Sequence, residues 1–237
     1  MIWILAAFAA FFIKGLCGFA NTLVFTSILG FGSANVDISP VELLLGFPPN
    51  VIQTFKNREN LKPRIFVPLV VLVLAGSIPG ALLLKNVNVN YLKVAFGAAV
   101  VIIGIEMLLR EKSYKKGKSS KPVLLIIGLI SGMLCGLFGV GALLAAYVGR
   151  VTESTDEFKA NIGAVFLSEN VVRIVLYSFL GIITLEAVKH ALILTPVMLL
   201  GLFAGMKSAK VLNEKVIKRI VILLLIASGI VLILNNI

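Results

Sequence analysis

Apolar runs of about twenty residues follow one another along this 237-residue chain with short polar breaks between them. A helix needs about 20 apolar residues to cross a bilayer, and a soluble core needs no such succession. The runs are continuous rather than alternating, which argues against a transmembrane barrel. Breaks and hydropathy place expected spans near 2–30, 40–57, 64–84, 90–109, 122–149, 160–182, 187–207 and 213–235. Composition agrees: 59% apolar and 14% charged, against roughly 45–50% and about 25% in soluble chains. A soluble enzyme, a disordered chain, a fibrous repeat and a disulfide scaffold are poor fits. The expected fold is an all-α polytopic membrane protein of about eight transmembrane helices.

The net charge of +11 is distributed mainly over loops, where Lys and Arg face cytoplasm or anionic lipid. No basic groove with interleaved aromatics is visible, so no nucleic-acid partner is expected. The richest loop, 110–122, carries six basic residues and one acid and ends in Pro122. It reads as a cytoplasmic linker, and residues 56–64 form a second basic loop. With eight crossings these two loops share a side, which then holds 11 Lys and Arg against 9 on the other. That bias is weak; it leans towards both termini being cytoplasmic. The opening MIWILAAFAAFFIKGLCGFA has no positive n-region and reads as a first span rather than a signal peptide. Cys17 and Cys135 lie in apolar segments, where buried thiols are expected rather than a disulfide framework.

The chain resembles itself. Residues 76–109 lie on 201–234 at one offset of 125, with eight of 34 positions identical. The matches include Lys85 with Lys210, Asn88 with Asn213, Lys93 with Lys218 and Gly104 with Gly229. Gly76 and Gly80 fall on Gly201 and Gly205. Asn50-Val-Ile-Gln53 matches Asn170-Val-Val-Arg173 at an offset of 120, and Cys17-Gly18 matches Cys135-Gly136 at 118. Two homologous halves of four helices follow: 1–109, a basic linker at 110–121, and 122–237. Internal repeats are the usual build of secondary transporters, with the substrate between them near the midplane. Four crossings per half would make the repeats parallel. Spans 1 and 5 are long and glycine-rich, and if they only re-enter the membrane the halves would be inverted.

The ordered motifs resemble the TauE/SafE sulfite-exporter family over nearly all of both halves. They are Lys14-Gly-Leu-Cys-Gly-Phe and Gly132-Met-Leu-Cys-Gly-Leu-Phe-Gly-Val-Gly141, the Gly-x-x-x-Gly of spans 3 and 7, and the turns Asn57-Arg-Glu-Asn-Leu-Lys and Gly181-Ile-Ile-Thr-Leu-Glu. The resemblance implies transport of sulfite, a sulfonate or a related organic anion without ATP hydrolysis.

Arg173, inside expected span 6, is the most informative residue. A charge at the bilayer centre costs about 2.5–3.5 kcal/mol on insertion scales and usually faces a cavity or a partner. Its guanidinium suits an oxoanion; equally, Glu169 one turn back suits an ion pair. Asn170 and Ser168 stand beside it, and Asn50 and Gln53 occupy the matching positions of the first half. These side chains serve either an anion or interhelical hydrogen bonding. Lys14 reads as a second cation or as a side chain snorkelling from a bent helix, with Asn21 and Thr22 as further donors. Gly15, Gly18, Gly136, Gly139 and Gly141 permit close packing or a broken helix whose N–H groups meet an anion. Glu169 is the one carboxylate placed for proton coupling, and His190, the only histidine, falls at an interface.

No Walker loop, no metal or haem ligand set and no Ser/His/Asp set is present in the sequence. No cofactor and no enzymatic activity are expected. The reading is a secondary transporter in the prokaryotic cell membrane, in the direction of export, for a small sulfur oxoanion bound between the halves. An anion channel, a carrier of another organic anion and a non-transporting membrane partner are the alternatives; the bilayer is a partner in each, and a homo-oligomer is compatible with all.

Overall fold

The computed structural model describes residues 1–29, 35–86, 121–138 and 141–234, with single positions and short pieces between 94 and 109. The basic stretch 110–120, most of the expected span 90–109, and Gly139 lie outside the described residues. The described helices are α1 (Ile2–Cys17), α2 (Asn21–Leu29), α3 (Asn35–Lys56), α4 (Pro63–Asn86), α5 (Lys121–Phe138), α6 (Ala142–Val151), α7 (Thr155–Phe179), α8 (Leu185–Ala209) and α9 (Glu214–Leu234). No strand occurs among the described residues.

Local chemistry explains several boundaries. The Ser154 side chain accepts from the Glu157 N–H at 3.1 Å and opens α7, with Asp156 and Glu157 in its first turn. Thr184 caps α8 in the same way through the Ala187 N–H. Gly18 ends α1 at φ +88°, and its N–H closes on the Lys14 carbonyl at 2.7 Å. Ala20, at φ +71°, holds a left-handed conformation that costs a side-chain-bearing residue roughly 1–2 kcal/mol. The single expected span 2–30 is therefore two helices, and the span 122–149 is likewise two, α5 and α6.

Contacts along the bundle fix the directions of these helices. Trp3 lies beside His190, the rings tilted and their centroids 5.6 Å apart, so α1 and α8 start at one end. Gly15 lies against the backbone of Leu202–Met206, so they run parallel. Phe25 meets Trp3 edge-on at 5.8 Å, which requires α2 to turn back along α1. The start of α3 returns to that end, where Ser39 meets Tyr177 near the end of α7. The far end of α3 places Gln53 on the Lys159 carbonyl, so α3 and α7 are antiparallel.

The second set of contacts repeats the pattern upside down. At the far end Lys62 pairs with Glu157 at 3.0 Å, and its N–H meets Asn161 Oδ1 at 3.0 Å. Gly128 lies against Leu72, Gly132 against Val73, and Gly136 between Ser77 and Ala81, so α4 and α5 are parallel from that end. The chain leaves α5, passes through α6, and is back at the far end by Ser154. Thus α6 also turns back. Gly97 faces Gly229 and Gly104 faces Ile226, which sets the 94–109 pieces antiparallel to α9.

Glycine makes these pairings possible. A methyl group on Gly15 or Gly205 would collide with backbone of the facing helix, and so would one on Gly76, Gly80, Gly132 or Gly136. Two apolar cores result. One gathers Phe11, Phe25, Leu45 and Met198 around α1, α2 and α8; the other gathers Leu69, Val73, Leu144 and Val148 around α4 and α6. Val67, Val71, Leu192, Ile193, Leu200 and Phe203 are exposed on α4 and α8, a surface suited to lipid. By length and composition Pro63–Leu82, Thr155–Phe179 and Leu185–Ala209 can each cross a membrane.

Candidate functional site

The two breaks approach each other inside the bundle, between α3 and α7. The end of α1 and the start of α2 supply Lys14, Asn21 and Thr22. Helix α3 supplies Glu42 and Asn50, and α7 supplies Glu169, Asn170 and Arg173. Gly141, immediately before α6, completes the opposite wall with Phe166. The α6 N-terminus has no side-chain cap, and its first N–H groups lack intrahelical partners by construction.

Four charges are buried here: Lys14 is 1% exposed, and Glu42, Glu169 and Arg173 are each 2% exposed. Lys14 Nζ donates to Asn50 Oδ1 at 2.7 Å and to Asn21 Oδ1 at 3.1 Å. The same ammonium stands 5.8 Å from the centre of the Phe166 ring. Lys14 therefore does not snorkel: its amine is turned inward and held by two amides. The Asn21 amide and the Thr22 hydroxyl both donate to Glu42 Oε1, each at 2.6 Å. These short distances are those of hydrogen bonds to a charged acceptor.

Arg173 links both sides. Its Nη1 donates to the Cys135 carbonyl at 2.7 Å. Its Nη2 lies 3.5 Å from Glu42 Oε2, and its Nε lies 3.5 Å from Glu169 Oε1. Neither Nε nor Glu169 Oε1 has a hydrogen-bond partner, so this contact is electrostatic and leaves donor and acceptor capacity open. Tyr177 OH donates to the Gly136 carbonyl at 3.0 Å and receives Ser39 Oγ at 3.1 Å. Arg173 and Tyr177 thus satisfy carbonyls in the last turn of α5, where the helix dipole favours a cation.

Of the residues expected at a site, Arg173, Asn170, Asn50, Lys14, Asn21, Thr22 and Glu169 come together around one cavity. Gly141 borders it, and Gly15, Gly18 and Gly136 pack the helix breaks. Gln53 does not line the cavity: it binds the Lys159 carbonyl and packs against Gly18. Ser168 is also elsewhere, bonded to Ala164 O on its own helix. Cys17 and Cys135 are separate buried thiols, and His190 is exposed beside Trp3.

Glu42 is the residue that sequence reasoning passed over. It stands third in the expected span 40–57 and reads as a residue at its edge. Helix α3 begins earlier, at Asn35, which moves Glu42 two turns inward. A lone carboxylate in ISPVELLLGF was the available signal. No His/Cys/Asp/Glu group suited to a metal occurs among the described residues.

Paired broken helices whose ends enclose buried charges, in a bundle with an apolar outer surface, define an integral membrane protein of transporter build. The family profile described as Sulfite exporter TauE/SafE matches residues 3–232. The chain belongs to this family of membrane transporters for sulfite and related anions. No curated protein and no solved structure gives a match.

Proposed function

We propose that this protein is a secondary transporter that exports sulfite, or a closely related sulfonate, from the cytoplasm across the prokaryotic cell membrane. The observation that carries the reading is the cavity between the helix breaks, which Lys14 and Arg173 line together with Gly141, the residue before the uncapped start of α6. Half-helix N-termini and buried cations are what an anion requires near the midplane. Arg173 is the principal anion ligand, through a guanidinium fork that matches two oxygens of a sulfur oxoanion. Lys14 supplies the second charge, and Asn21, Thr22, Asn50 and Asn170 supply neutral donors. A proton-coupled version of this transport needs a carboxyl at the site, and Glu169 and Glu42 both qualify by position.

The halves are inverted. Each consists of a re-entrant hairpin (α1–α2 and α5–α6) followed by three crossings. The opposed directions of α3 and α7 support this, as do the matched parallel pairs α1 with α8 and α5 with α4. Six crossings replace the expected eight. The charge distribution supports the same topology. Of the twenty Lys and Arg other than Lys14 and Arg173, seventeen then fall on one face, at 56–64, 110–121, 150–159 and 207–219. Lys85, Lys93 and Lys189 alone fall on the other. The basic face is cytoplasmic under the positive-inside rule. Both ends of the chain then lie on the outer face, the reverse of the expected orientation.

Sulfite efflux from loaded proteoliposomes tests the reading. Saturable efflux by the unsubstituted chain, lost with Arg173→Ala, is the expected result. Absence of sulfite efflux from intact protein would remove the substrate, and undiminished efflux with Arg173→Ala would remove the site.

A further inference from the structure

The polar groups that a sulfur oxoanion would use at the start of α2 are already taken. What now holds them has to leave when an anion enters. The side chain in that position is Glu42. Its Oε1 takes the two neutral donors at the start of α2, the Asn21 amide and the Thr22 hydroxyl, both at 2.6 Å. Its Oε2 faces Arg173 Nη2. A carboxylate is itself an oxoanion, and here it occupies the donors that a bound anion would use.

Charge leads to the same residue. The cavity wall carries two cations, Lys14 and Arg173, and two carboxylates, Glu42 and Glu169. With all four ionised the site is neutral, and an added anion makes it negative in a low-dielectric interior. One proton taken up per anionic charge restores balance. We propose that Glu42 is a tethered occupant of the anion site: the substrate displaces its carboxyl, which takes a proton from water as it leaves its donors. When the anion departs, the proton returns to water and the carboxylate re-engages Asn21, Thr22 and Arg173. Anion and proton therefore move together. This rests on the anion-transport reading and adds the residue that couples it.

Other groups face Glu42 from the surrounding helices. Lys14 approaches from α1; Arg173, Glu169 and Tyr177 approach from α7; the Cys135 thiol approaches from α5. Glu169 is the rival for the proton. It touches Arg173 but among the described residues takes no neutral donor of the α1–α2 hairpin, and its Oε1 accepts no hydrogen bond. Removing its charge leaves the α2 donors occupied.

The experiment is sulfite exchange across proteoliposomes holding the full chain, with Glu42→Gln, Glu42→Asp and Glu169→Gln alongside, between pH 5 and 8. Each variant is read as a ratio to the unsubstituted chain at the same pH, which cancels the protonation of sulfite itself. A protonated carboxyl population falls about tenfold per pH unit above its titration point. The Glu42→Gln ratio is therefore expected to climb tenfold or more from pH 5 to 8. Glu42→Asp, which keeps a titrating carboxyl, and Glu169→Gln are expected to stay flat. In net sulfite entry into vesicles loaded without sulfite, the proton uptake read by an internal pH dye is expected to vanish in Glu42→Gln alone. Exchange in Glu42→Gln with an unchanged pH profile and retained proton movement overturns the coupling role and leaves the transporter reading intact. Sulfite exchange absent from every chain, the unsubstituted one included, overturns both. If Glu42→Gln does not fold, Glu169→Gln decides: a wild-type pH profile and retained proton movement there support the role of Glu42, and their loss overturns it by giving the proton to Glu169.

Discussion

Arg173 is balanced by position as well as by charge. It satisfies a carbonyl of α5 and stands between two carboxylates, so its loss strands several groups at once. Breaking a buried pair from one side typically costs about 3–5 kcal/mol, whereas replacing the whole set by neutral groups of similar shape costs far less. Arg173→Met is expected to lower the melting temperature in detergent strongly. Adding Glu42→Gln and Glu169→Gln to it is expected to restore much of the loss, and a triple variant no more stable than the single one would contradict the charge-balanced site. Most of this cluster was legible as a sequence. Charges and amides inside apolar runs carry a cost that only a cavity or a partner offsets, which singled out Lys14, Asn50, Asn170 and Arg173. The partners were less legible. Hydropathy marked the carboxylate at Glu169 because it stands mid-run, but it passed over Glu42 because a span's polar edge and its interior look alike until the helix start is known. The periodic match that paired Asn50 with Asn170 also drew in Gln53. A repeat shows which positions correspond, but inverted halves need not place both members of a pair at the same cavity.

At the scale of the helix, glycine has three distinct roles, and substitution separates them. Gly136 and Gly205 are places where two backbones touch, and a methyl group there meets backbone of Ser77 and Ala81 or of Phe12 and Gly15. Overpacking of this kind costs typically about 1–3 kcal/mol, so Gly136→Ala and Gly205→Ala are expected to lose stability in a detergent melt. Gly18 holds φ +88° with the Lys159 chain and Gln53 close by, and Gly18→Ala is strained by conformation as well as by space. Gly149, inside α6, is different: its added methyl would meet only the Phe158 ring, at 3.8 Å. Gly149→Ala is expected to stabilise by about 0.5–1 kcal/mol through helix propensity. Equal losses at Gly136 and Gly149 would contradict the assigned contacts. The glycine clusters announced that spans 1 and 5 were unusual, and both contain a break. The return of α2 and α6 was not legible, because hydropathy measures apolar length and carries no sign of direction. Direction came from side chains far apart in sequence, Trp3 against Phe25 and Lys62 against Glu157.

Direction then decides how charge is sorted across the whole molecule. Counted over eight crossings, Lys and Arg divide almost evenly, 11 against 9, and orient nothing. Counted over two re-entrant hairpins and six crossings, the same twenty residues divide 17 against 3. A chain has no reason to concentrate basic residues on one face of a false topology, so the asymmetry is itself an argument for the inverted arrangement. Basic loops resist translocation, and the loop 110–121 alone carries six Lys and Arg. It is expected to stay in the cytoplasm together with the loop that follows α3. The measurement is labelling of single cysteines in intact cells, in a chain whose Cys17 and Cys135 are replaced by Ala. A cysteine at Ser119 or Arg58 is expected to react with a membrane-impermeant maleimide only after the cells are opened. A cysteine at Glu186, in the exposed first turn of α8, is expected to react in intact cells. Eight crossings in the other orientation predict the same protection at Ser119 but also protect Glu186, so Glu186 already separates the two arrangements and a second position of opposite sign checks the choice. Asn213, between α8 and α9, is that position: six crossings place it with Ser119 on the cytoplasmic face, whereas eight place it opposite. Labelling of Asn213→Cys in intact cells, with Ser119→Cys protected, would return the halves to a parallel arrangement and separate the two helix breaks from a shared inverted origin.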